Sequence, residues 1–421
     1  MSRIAIIGAG PIGLEAALLA RQLGHEVQVF EKGRVAENIL DWGHIRLFSP
    51  FGMNSSEWGR GAIARSLGPD ALPREDELLT GFEFYERYLE PISQLPEIVG
   101  CIHENREVCS IGRKRFGKLD AIGKVIRGQD PFRLLVKGPS GGFIPGRSVF
   151  EADLILDCSG TYPNHNWLGA GGARCAAEKE IIPNESYRVA LIQPHRFAST
   201  TTLIVGGGYS AATAVIELAE LAATHPETRG IWLTRPHSDG AGRRAAPIVR
   251  HKNDPLPERD RIAERANELA AAGSPAIVWL CDSWIVEIDQ DLDTTKFYVT
   301  IERENATDSG KAKAMQKDKL VVDRIIANVG YRPDRSIYEE LHVHECYATQ
   351  GPNKLAAKLL GETSSDCLAQ TTHGTDVLKN PEPNFFILGS KSYGRNSNFL
   401  MRVGIEQVRE VLISLECDSN S

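Results

Sequence analysis

Two glycine-rich turns are the segments of this 421-residue chain whose residue types and spacing point to the most specific chemistry. Each follows an apolar run typical of a β-strand and precedes an alanine-rich run typical of a helix. Such a turn brings the backbone close to a pyrophosphate and aims the first N–H groups of the helix at its negative charge. The sequence therefore predicts two dinucleotide-binding sites. Their residues are Gly8, Gly10, Pro11, Ile12 and Gly13 in the first turn and Gly206, Gly208, Tyr209, Ser210 and Ala211 in the second.

The residue that ends the second strand of each unit predicts whether the bound ribose carries a 2′-hydroxyl or a 2′-phosphate. In the first half, the run Val27–Phe30 is followed by Glu31, whose carboxylate can accept a hydrogen bond from a ribose 2′-hydroxyl. In the second half, the run Ile231–Thr234 is followed by basic residues, which favour a ribose 2′-phosphate. These basic residues are Arg235, His237, Arg243 and Arg244.

The second half of the chain repeats the plan of the first on a smaller scale. In the first half, strand-like runs at 107–111 and 132–137 precede a buried strand that enters a small-residue turn containing Ser159 and Gly160. In the second half, strand-like runs between 276 and 301 precede the run 320–327 and another such turn. The sequence thus predicts an α/β fold with two Rossmann-like dinucleotide-binding domains.

Length and composition favour a protein of more than one domain that binds neither nucleic acid nor a membrane. A chain of 421 residues is longer than a single hydrophobic core usually accommodates. The net charge of −7 and the absence of a long basic block argue against nucleic acid as a partner. No apolar run approaches the roughly 20 residues of a membrane helix, and the first apolar run leads directly into the first glycine turn. We expect a cytoplasmic protein that needs no membrane.

The aromatic residues Phe84, Tyr85 and Tyr88 of the first half are predicted to lie in the core and not at a cofactor. Thr80 can cap a helix whose apolar side chains recur at helical spacing through Ile92. The apolar loop Ile45–Asn54 is a candidate pocket wall. A possible metal group, formed by His342, His344 and Cys346 on a strand, lacks a fourth ligand nearby, so we predict no metal site.

The order of these features resembles the two-dinucleotide-binding-domain flavoproteins, which include thioredoxin reductases, bacillithiol-disulfide-reductase-like proteins and flavin-containing monooxygenases. The resemblance covers nearly the whole chain, including the turn Gly330-Tyr331-Arg332-Pro333 and the closing run 385–411. It implies FAD at the first glycine turn, NADPH at the second, and an NADPH domain inserted into a discontinuous FAD domain. The expected divisions are 1–165 for the first part of the FAD domain, 166–197 for a linker, 198–325 for the NADPH domain and 326–421 for the returning part of the FAD domain.

The closing run predicts a strand at 384–388, a turn, and a helix at 399–415 that Asn396, Ser397 or Asn398 caps. The resemblance implies that Ser159, Gly160, Gly389, Ser390 and Asn398 contact FAD. Ser390 replaces the aspartate that binds the ribityl chain in thioredoxin-reductase-like members. Lys391, Tyr393 and Arg395 are interpreted as solvent-facing turn residues, with a flavin-side role as the alternative.

The reaction depends on whether a thiol relay exists. The eight cysteines form no C-x-x-C motif, and Ile12 occupies the position where bacillithiol-type relatives have a cysteine. Cys158 follows an apolar strand, which favours a buried, inert thiol over an electron relay. The hypothesis is therefore a monooxygenase-like oxidoreductase, in which NADPH reduces FAD and the flavin then reacts with oxygen and a small-molecule substrate. The F-x-G-x-x-x-H motif of many such enzymes is not found in the sequence.

Other functions stay open at this stage. The same domains could reduce a disulfide, donate electrons to a partner protein, or sense the redox state without turnover. A homodimer is also left open. The substrate and the catalytic residues cannot be assigned from the sequence, because distant loops would assemble the pocket.

Overall fold

The chain divides into two units in the computed structural model, which describes residues 1–138, 146–235, 246–250, 254–273, 275–304, 315–361 and 373–419. Unit 1 comprises residues 1–164 and 331–421, and unit 2 comprises residues 165–330. Unit 2 is thus inserted into the chain of unit 1. Residues 166–197 lie within unit 2.

The described strands and helices alternate along much of the chain. The strands are β1 (Arg3–Ile7), β2 (Glu26–Phe30), β3 (Ile102–His103), β4 (Glu107–Arg113), β5 (Phe132–Lys137), β6 (Arg147–Ala152), β7 (Leu154–Asp157), β8 (Thr201–Val205), β9 (Arg229–Leu233), β10 (Ile277–Leu280), β11 (Ser283–Gln290), β12 (Phe297–Glu304), β13 (Met315–Val322), β14 (Arg324–Ala327) and β15 (Phe385–Ile387). The α-helices are α1 (Pro11–Gln22), α2 (Glu37–Asp41), α3 (Phe51–Asn54), α4 (Glu57–Leu67), α5 (Gly81–Phe84), α6 (Glu90–Ser93), α7 (Val125–Gln129), α8 (Glu178–Ile181), α9 (Pro194–Phe197), α10 (Tyr209–Thr224), α11 (Pro257–Ala271), α12 (Asn353–Gly361) and α13 (Met401–Ser419).

Unit 1 is built on a parallel sheet with the strand order β15-β7-β1-β2-β3. A second, antiparallel sheet contains β4, β5 and β6. Successive side chains of β1 alternate between two cores: Ile4 and Ile6 pack with residues of α1 and α13, whereas Ala5 and Ile7 pack with residues of the antiparallel sheet. Because both faces of the parallel sheet are covered, β1 is apolar at consecutive positions.

Unit 2 has the same plan with fewer strands. Its parallel sheet has the order β10-β9-β8-β14, and β11, β12 and β13 form an antiparallel sheet. Leu203 and Val205 of β8 pack with Val299 and Ile301 of that antiparallel sheet. The two units pair their strands in the same way. In unit 1, β1 lies between β2, which follows helix α1, and β7, which follows the antiparallel sheet. In unit 2, β8 lies between β9, which follows helix α10, and β14, which follows the antiparallel sheet. The predicted α/β fold with two related dinucleotide-binding halves is confirmed.

The predicted aromatic core of unit 1 is also present. Thr80 caps α5 through a capping box in which its hydroxyl accepts from the Glu83 N–H and the Glu83 carboxylate accepts from the Thr80 N–H. Phe84, Tyr88 and Ile92 are fully buried. A π-helical turn, Tyr85–Leu89, separates α5 from α6.

Three elements differ from the sequence-based expectations. The run 320–327 is two strands, because β13 ends at Val322 and β14 begins at Arg324 in the other sheet of unit 2. Residues 342–346 do not form a strand. The last helix begins at Met401 instead of 399, and the Asn396 side chain accepts from the Asn398 N–H before the helix starts.

A buried ion-pair group joins the returning segment of unit 1 to its antiparallel sheet. The carboxylate of Glu382 accepts from Nε of Arg113 at 2.7 Å and from Arg127 at 2.9–3.0 Å. It also accepts the N–H of His342 at 2.8 Å. The side chains of Glu382 and both arginines are almost completely buried. Each charge therefore depends on the others in the absence of solvent.

Among the described residues, none of the helices combines the length and the apolar composition that a membrane span requires.

Candidate functional site

The first glycine turn combines close packing with open space. Gly8 has a φ of +96°, and a Cβ at this position would lie 2.9 Å from the carbonyl oxygen of Cys158. A Cβ at Gly13 would overlap the carbonyl oxygen of Gly8. Gly10 differs, because a Cβ there would have no atom within 4 Å. The first and third glycines thus let β1, α1 and β7 pack closely, and the second leaves room for a ligand against the backbone.

The N-terminus of α1 faces this turn without a side-chain cap. Gly10 is the N-cap residue, and Pro11 occupies the first helical position, where a missing N–H costs little. The next N–H groups of such a helix have no intrahelical acceptor and carry the positive end of the helix dipole. The residues present therefore suit a pyrophosphate.

Glu31 follows β2 at the same edge of the sheet. One carboxylate oxygen accepts from the Ala9 N–H at 2.8 Å, and the other accepts from the Gly33 N–H at 2.9 Å. Burial raises the pKa of Glu31, although these two hydrogen bonds act against the rise. The backbone thus fixes the carboxylate beside the turn, and each oxygen keeps a lone pair for a hydroxyl group.

The turns that follow β7 and β15 meet the first glycine turn. Gly160 and Gly389 have φ values of +70° and +69°. The Ser390 hydroxyl lies 3.6 Å from the position that a Cβ of Gly160 would take, and Ile12 lies 3.1 Å from that of Gly389. The structure thus brings Gly160, Gly389 and Ser390 together at the carboxyl edge of the parallel sheet. Asn398, also predicted to contact FAD, is exposed just before α13.

Lys391 is not a solvent-facing turn residue, and that interpretation was wrong. It is fully buried, as is Tyr393, while Arg395 is exposed as expected. The Lys391 ammonium donates to Oδ2 of Asp157 at 2.7 Å and to Oγ of Ser159 at 2.9 Å. The Ser159 hydroxyl in turn donates to Oδ1 of Asp157 at 2.6 Å.

The hydrogen bonds among Asp157, Ser159 and Lys391 join the Ser159–Gly160 turn to the turn after β15. The sequence analysis did not predict this contact. The available signal was Asp157, a carboxylate at the end of an apolar strand, which needs a cation when it is buried.

The second glycine turn repeats the geometry of the first. Gly206 has a φ of +143°, and a Cβ there would overlap the carbonyl oxygen of Asn328. Gly208 has open space where a Cβ would stand and is the N-cap residue of α10, again without a side-chain cap. Ala211 is fully buried, as the small third position requires. Tyr209 and Ser210 form the first positions of α10.

The basic end of this second site is only partly described. Arg235 is exposed two residues after β9 ends. Arg243 and Arg244 lie outside the described residues, as does His237.

The described cysteines do not form a thiol relay at the first turn. Ile12, which occupies the position where a cysteine would form such a relay, packs against Gly389 and Gly404. Cys158 is buried, and burial together with the nearby Asp157 raises the pKa of its thiol far above the ordinary value. A thiol held protonated is a poor nucleophile. Within the described ranges no group of three histidine, cysteine or acidic side chains could hold a metal ion.

Comparisons with known proteins agree with this architecture. Residues 5–117 match the family described as pyridine nucleotide-disulphide oxidoreductase. No curated protein sequence matches the chain.

Three solved structures align over nearly the whole chain. The bacillithiol disulfide reductase of Bacillus cereus is 17% identical, with 99% of both chains covered and a TM-score of 0.65. The ornithine N-hydroxylase of Kutzneria sp. 744 is 15% identical, with 99% of both chains covered and a TM-score of 0.60. The T. acidophilum thioredoxin reductase is 16% identical over 100% of this chain and 99% of its own, with a TM-score of 0.57. This chain has the fold of the two-dinucleotide-binding-domain flavoproteins.

Proposed function

We propose that this protein is an FAD-dependent oxidoreductase that takes electrons from NADPH. The observation that carries the proposal is the first glycine turn, where Gly10 leaves open space at the uncapped start of α1 and Glu31 is fixed beside it. An anionic pyrophosphate and a ribose hydroxyl are the groups that such a pair of features suits.

Residues of unit 1 would hold FAD along the carboxyl edge of its parallel sheet. The backbone of the Gly8–Gly13 turn would bind the pyrophosphate, and Glu31 the ribose. Gly160 and Gly389 allow backbone to approach the ligand closely, and Ser390 offers a hydroxyl to the ribityl chain. When bound, FAD supplies two-electron redox chemistry that side chains cannot perform.

Residues of unit 2 would hold NADPH by the same principle. The turn from Gly206 to Ala211 would bind the pyrophosphate, and Arg235 would pair with the 2′-phosphate, together with Arg243 and Arg244.

For the reaction we propose monooxygenation of a small molecule. NADPH supplies two electrons, one oxygen atom of O₂ enters the substrate, and the other leaves as water. This stoichiometry requires no protein thiol, which agrees with Ile12 at the first turn and with the buried Cys158, whose thiol pKa is raised by burial. Among proteins of similar fold are both an ornithine N-hydroxylase and a bacillithiol disulfide reductase, and the position of Ile12 and the burial of Cys158 support the first type of reaction for this chain.

Replacing Cys158 by Ser tests the proposed reaction. We expect the variant to keep flavin and to oxidise NADPH with oxygen at nearly the rate of the unmodified protein, because the thiol carries no electrons. The measurements are NADPH consumption, oxygen uptake and, by rapid mixing of the reduced protein with oxygen, the rate at which the protein is reoxidised.

Three outcomes would contradict monooxygenation. Loss of electron transfer in the Cys158→Ser variant, with a disulfide consumed by the unmodified protein, would identify a disulfide reductase. Electron delivery to a carrier protein with slow reoxidation by air would identify an electron donor. If the protein consumes no NADPH with any acceptor, the result would indicate a redox sensor without turnover.

The Arg235→Ala variant tests the choice of nucleotide. We expect the preference for NADPH over NADH to fall by at least about tenfold, because one charge-assisted contact to the 2′-phosphate contributes about 1.5–3 kcal/mol. Flavin reduction at low nucleotide concentration measures the preference. Arg265→Ala is the matched control, since Arg265 is an exposed arginine of unit 2 that pairs with Glu268 on α11. Equal use of NADPH and NADH by the unmodified protein would refute the assignment.

A further inference from the structure

The side-chain amide of Asn328 has no hydrogen-bond partner in the described part of the chain. Both its nitrogen and its oxygen are buried, yet neither donates to nor accepts from another group there. A buried amide without partners costs free energy that the fold must supply elsewhere. Such a group in a native structure calls for a ligand or for another explanation.

Asn328 lies at the point of unit 2 where the glycine turn begins. It follows β14, and its backbone carbonyl oxygen occupies the space that a Cβ of Gly206 would take. β14 pairs with β8 so that Ala327 is opposite Val205, the last residues of the two strands. The Cβ of Asn328 lies 3.4 Å from the position that a Cβ of Gly206 would take, so this residue is directly beside the turn proposed to bind the pyridine nucleotide.

The equivalent position of unit 1 shows that the fold does not require an amide here. β7 pairs with β1 so that Asp157 is opposite Ile7, and Cys158 then contacts Gly8 as Asn328 contacts Gly206. Unit 1 thus carries a thiol at this position, which needs no hydrogen bond when buried. The polar side chain is specific to unit 2.

The strand order indicates which part of a nucleotide would reach Asn328. β9 and β14 flank β8 on opposite sides, so Arg235 and Asn328 lie on opposite sides of the glycine turn. A dinucleotide bound across such a switch point places its pyrophosphate at the turn and its two halves on either side. If the 2′-phosphate half lies toward Arg235, the nicotinamide half lies toward Asn328.

We propose that Asn328 binds the nicotinamide half of the pyridine nucleotide, donating to an oxygen and accepting from an N–H or O–H of that half. Both the carboxamide of nicotinamide and the hydroxyls of its ribose offer a donor and an acceptor, which matches the two unpartnered atoms. This inference rests on the proposed function, because it assumes NADPH at the second glycine turn.

Two ligands separate the halves of the nucleotide experimentally. NADP⁺ contains both halves, whereas adenosine 2′,5′-bisphosphate lacks the nicotinamide half. Titration calorimetry on the flavin-loaded protein should show that Asn328→Leu weakens NADP⁺ about tenfold and changes adenosine 2′,5′-bisphosphate less than twofold. Arg235→Ala should weaken both ligands.

Thermal stability without nucleotide distinguishes a binding role from a structural one. Asn328→Leu should leave the Tm unchanged or raise it, because leucine removes a buried, unpartnered amide at similar volume. Asn267→Leu is the matched control: the Asn267 amide accepts from the Ile248 N–H at 3.0 Å and donates to the Ile248 carbonyl at 2.8 Å. That control should lower the Tm and leave NADP⁺ binding unchanged.

The outcomes separate this inference from the proposed function. NADP⁺ binding by the unmodified protein and by Asn328→Leu with equal affinity would overturn the inference alone, as would equal weakening of both ligands. Binding of neither ligand by the unmodified protein would overturn both the inference and the NADPH assignment. Asn328→Cys, which places the unit 1 residue at this position, is the second variant should leucine prevent folding, and the same results are expected of it.

Discussion

A Gly10→Val variant is expected to fold but to lose its flavin. The backbone of Gly10 has a φ of −78° and a ψ of −175°, which valine also adopts, so the substitution does not strain the turn. The added side chain would occupy the open space against α1 where the pyrophosphate is proposed to lie. Losing two charge-assisted contacts of about 1.5–3 kcal/mol each corresponds to at least about a hundredfold weaker binding.

The measurement for Gly10→Val is the flavin released per mole of purified, denatured protein, identified by mass. Gly112→Val is the matched control. Gly112 lies on β4 of the same unit, and a Cβ there would also meet no atom within 4 Å. This control should retain flavin. Full flavin content in Gly10→Val would show that the pyrophosphate does not bind at Gly10.

The second large effect is expected on stability. Replacing Glu382 by Ala should lower the free energy of unfolding by about 3–5 kcal/mol, because it leaves the buried guanidinium groups of Arg113 and Arg127 without their carboxylate. Urea and thermal unfolding measure the loss. Glu97→Ala, at an exposed position of unit 1, is the control and should change stability by less than about 0.5 kcal/mol.

The same variant has an expected dependence on pH. Burial alone would raise the pKa of Glu382, but hydrogen bonds from Arg127, the His342 N–H and Arg113 outweigh it and hold the pKa below its ordinary value. A carboxyl group with a lowered pKa in the folded state stabilises it above the unfolded pKa of about 4.3, and this contribution is lost as the pH falls through the folded pKa. The stability difference between Glu382→Ala and the unmodified protein should therefore shrink in acid. A constant difference down to pH about 2 would contradict the ionised pair.

Sequence reasoning succeeded where the determinants are local. The glycine turns, the strands that precede them and the capping box of Thr80 depend on residues within a few positions of one another. The repeated plan of the two halves was also predictable, because each half carries the same order of runs and turns.

The contacts that sequence reasoning missed join distant segments. A lysine in a turn usually faces solvent, but the partner that buries Lys391 is Asp157, which lies 234 positions away in the sequence. Glu382 and Arg113 are 269 positions apart. The amide of Asn328, which has no hydrogen-bond partner among the described residues, could not be predicted either, because its environment depends on the packing of distant segments.

The insertion of unit 2 has a consequence for the order in which the chain can fold during synthesis. Unit 2 is continuous, so all four strands of its parallel sheet have been made once residue 327 is complete. Unit 1 is completed later, because its edge strand β15 and the helix α13, which packs against α1, follow unit 2 in the chain. Until then the apolar face of α1 and the edge of β7 lack their partners, as unpaired strand edges do in aggregation-prone intermediates. The order of synthesis therefore allows the inserted unit to complete its parallel sheet before the outer unit can complete its own.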